Sequence, residues 1–246
     1  MPPHLALCCT LLAALAALWL GCQPALSAAA APHWRAVLVA GDNAQPVFDN
    51  AVAALARWLG ERGVPSADIH RLSARRPAGD PTVEPASAER ILGRIASLRA
   101  RPGEGCLVFI TSHGQKGEGA WLAYSGEYLR PGALAQALAA GCAAVPTVVI
   151  VSSCYSGAFA VGAMPAANRV ILTAAKANRP SFGCQADRTY TVFDECLLDA
   201  LPRAPTWRNV SAASLDCVRR HEHELHVAPS QPQTSIGAAV SDLPVR

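Results

Sequence analysis

The stretch "VVIVSSCYSGAF", residues 148–159, decides the fold. Its opening β-branched run is short and continuously apolar, the pattern of a strand covered on both faces. The run delivers two serines and then Cys154 to the point where the chain leaves the sheet. Gly157 predicts a tight exit just beyond it. A purely structural cysteine has no reason to prefer the strand's end over its apolar interior.

Upstream, "CLVFITSHG" (residues 106–114) repeats the pattern, an apolar run ending in Ser112, His113 and Gly114. Around these two runs, strand-like and helix-like segments alternate. "RAVLVAG" reads as a first strand, and "NAVAALARWLGERG" puts Val52, Leu55, Ala56 and Leu59 on one helical face. "DIHRLSA" is a second strand, and "ARRPAGDPTVEPAS" is a loop by its Pro, Gly and Asp content. "AERILGRIASLRARPG" is a helix with Ile91, Leu92, Ile95 and Leu98 in one stripe. "AWLAYSGEYLRP" predicts a hairpin and "GALAQALAAG" a helix. "NRVILTAA" predicts a fifth strand, while "TVFDECLLDAL" and "NVSAASLDCVRRHEHEL" predict the last two helices. "APSQPQTS" reads as a loop, with "IGAAV" as a candidate final edge strand. Strands spaced by helices imply βαβ units, hence an α/β fold: a three-layer sandwich with a mostly parallel sheet and helices on both faces.

In an open parallel sheet, sites form beyond the carboxyl ends of the strands. If the runs ending in His113 and Cys154 are neighbours, an imidazole and a thiol share one crevice. That is the requirement of nucleophilic catalysis by sulfur, a thiol beside a base that takes its proton. The backbone N–H groups of Gly114 and Cys154 are candidates for holding a developing oxyanion. Asn43, after the first strand, is placed to bond an imidazole nitrogen, or is an ordinary turn residue in "GDNA".

Composition narrows the alternatives. The chain has 246 residues, 51% hydrophobic and 16% charged, with a formal net charge of +3. That size supports one sizeable core, and the charge is too mild and too scattered to suggest nucleic acid. Residues 1–30 read as a secretory signal: the apolar run "LALCCTLLAALAALWLGC" is followed by small residues in "QPALSAAAAPHW". Gly21–Cys22 resembles a lipoprotein cleavage site, "ALSA" suits ordinary signal peptidase, and a retained anchor is the third outcome. Export to the periplasm or attachment to the outer membrane is expected, with a single domain over residues 33–246. Contact with a membrane is expected only through that leader or a lipid on Cys22.

Six cysteines then remain: Cys106, Cys142, Cys154, Cys184, Cys196 and Cys217. In an oxidising compartment they could close three bridges. If Cys154 is a working thiol, at most two bridges form and one cysteine is spare. No CxxC pair occurs, which argues against a thiol oxidoreductase or a structural zinc site. "HEHELH" (residues 221–226) lacks the HExxH spacing and reads as a polar helix end, so neither metal nor other cofactor is expected.

"FITSHGQKGEG" followed by "VVIVSSCYSGAF" resembles the legumain-like cysteine peptidases, which include the asparaginyl endopeptidases and the catalytic subunit of GPI transamidase within the caspase-like clan. "VLVAGDNAQPVFDNAVAALARWLGERGVPSADI" is similar to the family's opening strand and helix, and "ILTAAKANRPSFGC" to its segment after the nucleophile. The resemblance covers residues 35–184 well and the remainder loosely. It implies a caspase-like sandwich and a cysteine-type endopeptidase or transpeptidase acting on a protein or peptide, without a cofactor. Cys154 would be the nucleophile, His113 the general base and Asn43 the residue orienting the imidazole, with Gly114 and Cys154 forming the oxyanion hole.

Three departures from the family pattern bear on specificity. Asp49–Asn50 stand where asparagine-specific members have Arg-His, and Arg188 stands near an expected acidic residue. Tyr155 follows the nucleophile where an acidic residue is common. With Ser181, Asp49 and Arg188 are therefore the candidate S1 residues. Asp49 unopposed would favour a basic P1 side chain, whereas Asp49 paired with Arg188 would admit a neutral amide. A non-catalytic binding or scaffold lipoprotein on the same fold is the competing reading.

Overall fold

The computed structural model describes residues 31–75, 80–185 and 187–245. The predicted leader, with Cys22, lies outside them. Strand β1 (His33–Ala40) leads into helix α1 (Val47–Gly60), then β2 (Ile69–Ser73), β3 (Val83–Pro85) and α2 (Ala88–Ser97). Next come β4 (Glu104–Thr111), three short strands β5 (Gly114–Gln115), β6 (Gly119–Leu122) and β7 (Glu127–Leu129), and α3 (Pro131–Cys142). Strands β8 (Thr147–Ser152) and β9 (Arg169–Thr173), helices α4 (Val192–Ala200) and α5 (Trp207–Glu224), and strand β10 (Gln233–Ile236) complete the order.

The main sheet runs β10-β9-β8-β4-β1-β2-β3. All neighbours are parallel except β10, which lies antiparallel on β9. The expected mostly parallel sheet with helices on both faces is therefore present. β4 and β8, the most continuously apolar runs, sit side by side near its middle, where neither face meets water.

Alternation sorts the side chains. Leu107 and Phe109 of β4, with Val148 and Ile150 of β8, enter the core shared with α1, α4 and α5. Val108 and Ile110, with Val149 and Val151, enter the core shared with α2, α3 and the β6–β7 hairpin. Successive residues of a strand point to opposite faces, so this rule fixes which layer each residue at a strand's end addresses.

Two expectations are corrected at the sheet edges. The Pro-rich stretch that reads as a loop contains β3, whose Pro85 is tolerated because the strand is outermost and needs no donor on its free side. The final edge strand is not "IGAAV" but the preceding Gln233–Ile236, while Ala238–Val240 forms a 3-10 turn. Its register sets Ser235 against Ile171, and a polar side chain there suits an edge strand.

The cysteines divide as the counting allowed. Cys106 is bonded to Cys142 and Cys196 to Cys217, leaving Cys154 and Cys184 free. The first bridge ties the start of β4 to the end of α3, and the second ties α4 to α5. Both lie among core residues.

Candidate active site

β4 and β8 pair in register, with Thr111 opposite Ser152. Ser112 N–H donates to the Ser152 carbonyl at 3.0 Å, so the ladder continues past the strands' formal ends. His113 and Cys154 each stand two positions beyond that pair. By alternation both belong to the face of α1 and α4, above Thr111 and Ser152. The contacts agree. The His113 ring packs edge-on against Phe48 of α1, with ring centroids 5.3 Å apart. His113 and Cys154 line one narrow cleft with Phe48, Ser181, Cys184 and Thr191. The intervening Ser112 points the other way, its hydroxyl donating to the Trp121 carbonyl of the hairpin at 2.6 Å.

Gly114 shows how tightly the two strand ends approach. A Cβ at this position would lie 2.2 Å from the Cys154 carbonyl oxygen and 2.9 Å from Ser153 Oγ. Any side chain there would force the two segments apart. The exit after Cys154 differs from expectation. The positive φ falls on Tyr155, at 58°, a left-handed conformation uncommon for a residue with a side chain. Its N–H donates to the Arg179 carbonyl at 2.9 Å, which helps hold the turn. Gly157 serves close packing instead, since a Cβ there would lie 2.5 Å from Ala177 N.

The Cys154 sulfur rests on the loop after β9. Ser181 N–H donates to it at 3.3 Å and the Ser181 hydroxyl at 3.7 Å, while the thiol reaches the Ser181 carbonyl at 3.4 Å. Cys184, three residues on, shares the cleft. Burial pushes its thiol up, and the neighbouring Cys154 adds to the shift. No metal-ligand set forms around these groups among the described residues. The one His/Cys cluster, Cys196, Cys217 and His221, has its sulfurs bonded to each other.

The structure does not bring every candidate together. Asn43 is exposed, and its amide donates to the Ala74 carbonyl at 3.5 Å, at the end of β2. Among the described residues neither ring nitrogen of His113 has a hydrogen-bond partner. The expected Asn43–imidazole contact is therefore absent, and Phe48 is the side chain that packs against the ring. Asp49 is turned to Ser73 Oγ at 2.6 Å and to Arg75 at 3.3 Å. Arg188 pairs with Glu195 and also donates to the Tyr190 carbonyl. Asp49 and Arg188 are thus not a pair, because each charge found a partner closer in sequence or on its own loop. Of the three S1 candidates, only Ser181 reaches the cleft. Arg188 lines a neighbouring pocket with Phe182, Asp187 and Leu225.

Sequence reasoning missed Phe48 and the polar layer beneath the cleft. Thr111 hydroxyl donates to Asp194 at 2.7 Å, and the Ser152 and Thr191 hydroxyls lie 3.4 Å apart. Asp194 is fully buried in the first turn of α4, where Thr191 caps its N–H at 3.1 Å. Hydroxyl residues two positions before His113 and before Cys154 were the available signal for that layer.

No curated protein matches the chain in sequence. A crystal structure of caspase-1 from Spodoptera frugiperda is similar in fold, with a TM-score of 0.60 at 14% identity, over 83% of this chain and 86% of that one. The model of the Peptidase C13 family matches residues 87–216. That span carries β4, β8, His113 and Cys154, but not the opening strand and helix where Asn43 and Asp49 depart from expectation. With a match over more than half of its length, the chain belongs to the Peptidase C13 family, the legumain family of cysteine peptidases.

Proposed function

We propose that the protein is a cysteine-type endopeptidase or transpeptidase in which Cys154 attacks the peptide carbonyl and His113 carries the proton. The observation that supports this best is the register: two in-line positions on adjoining parallel strands set an imidazole and a thiol on the same face, in one cleft. His113 takes the Cys154 proton as the sulfur adds to the carbonyl carbon, and returns it to the departing amine. The backbone N–H groups of Gly114 and Cys154 stabilise the oxyanion of the tetrahedral intermediate. A thioester remains on Cys154, and water or an amine resolves it.

The local pairing of Asp49 and of Arg188 favours a neutral P1 side chain over a basic one. The cleft wall offers the hydroxyls of Ser152, Ser181 and Thr191, and a hydroxyl both donates and accepts, as an amide side chain requires. Two bridges between core cysteines suit an oxidising compartment, which supports export. No helix among the described residues is long and apolar enough to cross a membrane.

The test is cleavage of asparaginyl and arginyl reporter peptides, side by side, by the chain under mild reduction. The asparaginyl reporter is expected to be cut, and Cys154→Ala to abolish the activity with the fold intact. Cleavage by the alanine variant contradicts the assignment, and a folded chain that cuts no peptide favours the scaffold reading. Preference for the arginyl reporter contradicts the specificity proposal alone.

A further inference from the structure

Asp194 is a fully buried carboxyl that the chemistry above does not use. It sits where the rows of side chains on β4 and β8 change character. On β4 the row on the α4 face runs Leu107, Phe109, Thr111, His113; on β8 it runs Val148, Ile150, Ser152, Cys154. Apolar layers give way to a hydroxyl layer and then to the two reactive groups. Asp194 Oδ2 accepts from Thr111 in that hydroxyl layer at 2.7 Å. Its Oδ1 has no hydrogen-bond partner, although the Ser152 and Thr191 hydroxyls lie close enough to favour the ionised form.

An unpartnered carboxylate oxygen at a fully buried position is costly, and a protein keeps such a group only where something offsets it. What lies above this one is an imidazole two residues along β4. One strand residue rises about 3.3 Å, so the backbone of His113 stands roughly 7 Å beyond that of Thr111, on the same face.

We propose that Asp194 is a positioning residue for the His113–Cys154 pair: its carboxylate, held by Thr111 beneath the end of β4, supplies a fixed negative charge below the imidazole that takes the thiol's proton. This rests on the reading of His113 and Cys154 as the reacting groups.

His113 from β4, Cys154 from β8 and Cys184 from the loop after β9 face the cleft. Asp42, before α1, accepts from Ala44 N–H, and Asp49 of α1 is held by Ser73 and Arg75. On α4, Glu195 pairs with Arg188. On α5, Glu222 accepts from Ser230, and His221 lies 3.7 Å from Glu224. None of these cations neutralises Asp194. Burial pushes its carboxyl up to about 6, while the hydroxyls of Thr111, Ser152 and Thr191 pull it back down.

The test is the rate of Cys154 alkylation by iodoacetamide, read by mass spectrometry from about pH 4.5 to 9, in the wild type and in Asp194→Asn. Circular dichroism checks the fold. The amide keeps the shape and an acceptor for Thr111 but cannot ionise. The wild type is expected to show an inflection near pH 6, where Asp194 ionises. Asp194→Asn should lose that inflection and react roughly tenfold more slowly at pH 7. A folded Asp194→Asn with the wild-type profile overturns the proposal. If that variant does not fold, Thr111→Val removes a hydroxyl that favours the ionised form and should move the inflection to higher pH; an unmoved inflection overturns the proposal. The outcomes separate from those for peptide cleavage. An Asp194-dependent alkylation profile in a chain that cuts no peptide sinks the peptidase reading only. Peptide cleavage with a profile indifferent to Asp194 sinks this proposal only.

Discussion

The two ends of the central strands treat the same side chain in opposite ways. At the start of β4, Cys106 is wholly buried and bonded to Cys142. Beyond the end of β8, Cys154 is half-buried and unbridged, with two Ser181 donors on its sulfur and an imidazole across the cleft. One end has apolar walls and a covalent partner, which make a sulfur inert. The other offers donors, an ionisable neighbour and access, which together make a thiol reactive. The difference lies in strand polarity. Parallel strands gather their carboxyl ends, and the loops leaving them are free to supply such groups.

Substitutions at the two ends should therefore differ in kind. The largest effect is expected at the cleft. Replacing Cys154 with alanine removes the nucleophile, and peptide cleavage should fall to background with the far-ultraviolet spectrum unchanged. Replacing His113 with alanine should lower kcat/KM by about 10²–10⁴-fold, measured on the same reporter. At the other end, opening the Cys106–Cys142 bridge by the double change to serine should cost about 3–4 kcal/mol in urea unfolding. Cys154 alkylation at low temperature should be unaffected. If opening the bridge slows alkylation as much as replacing His113 does, the ends are not independent and the comparison fails.

The smallest effect sharpens it. Burial raises the Asp194 carboxyl above its ordinary value of 3.8, to about 6 in the folded state. The folded chain thus holds that proton more tightly than the unfolded chain. The associated stabilisation is present below about pH 4 and is lost as pH rises through 6. Asp194→Asn, freed of the buried charge, should be more stable than the wild type at pH 7 by about 1–3 kcal/mol, with the gain vanishing near pH 4. A loss of stability at pH 7 would show that Asp194 serves the fold rather than the cleft.

Much of this was legible in the residues. The apolar runs ending in Ser112–His113–Gly114 and in Ser152–Ser153–Cys154 gave away both the parallel sheet and the shared crevice, because burial on two faces leaves no polar alternation to misread. The cysteine count allowed three bridges, or at most two and a spare if Cys154 is a working thiol; the structure has two, and the spare is Cys184. The partners were not legible, since pairing depends on which helix ends meet in space. Asn43 misled because a polar residue after a strand is placed alike for a turn and for a site, and here its amide turned to Ala74. The expected role of Gly157 was misassigned for a related reason. Sequence shows that a turn is needed, not which residue takes the positive φ, and Tyr155 took it. Asp194 escaped notice because acidic residues are ordinary in a helix's first turn. Only the packing of α4 on Thr111 shows that this one is buried.

The central claim is that Cys154 forms a covalent intermediate with a peptide carbonyl. Its most direct test is a peptidyl acyloxymethyl ketone with asparagine at P1, incubated with the chain and followed by intact mass and peptide mapping. The account predicts one adduct per chain, on Cys154, appearing in step with loss of peptide cleavage and blocked by Cys154→Ala. An adduct on Cys184 alone, or full cleavage surviving complete modification of Cys154, would contradict it.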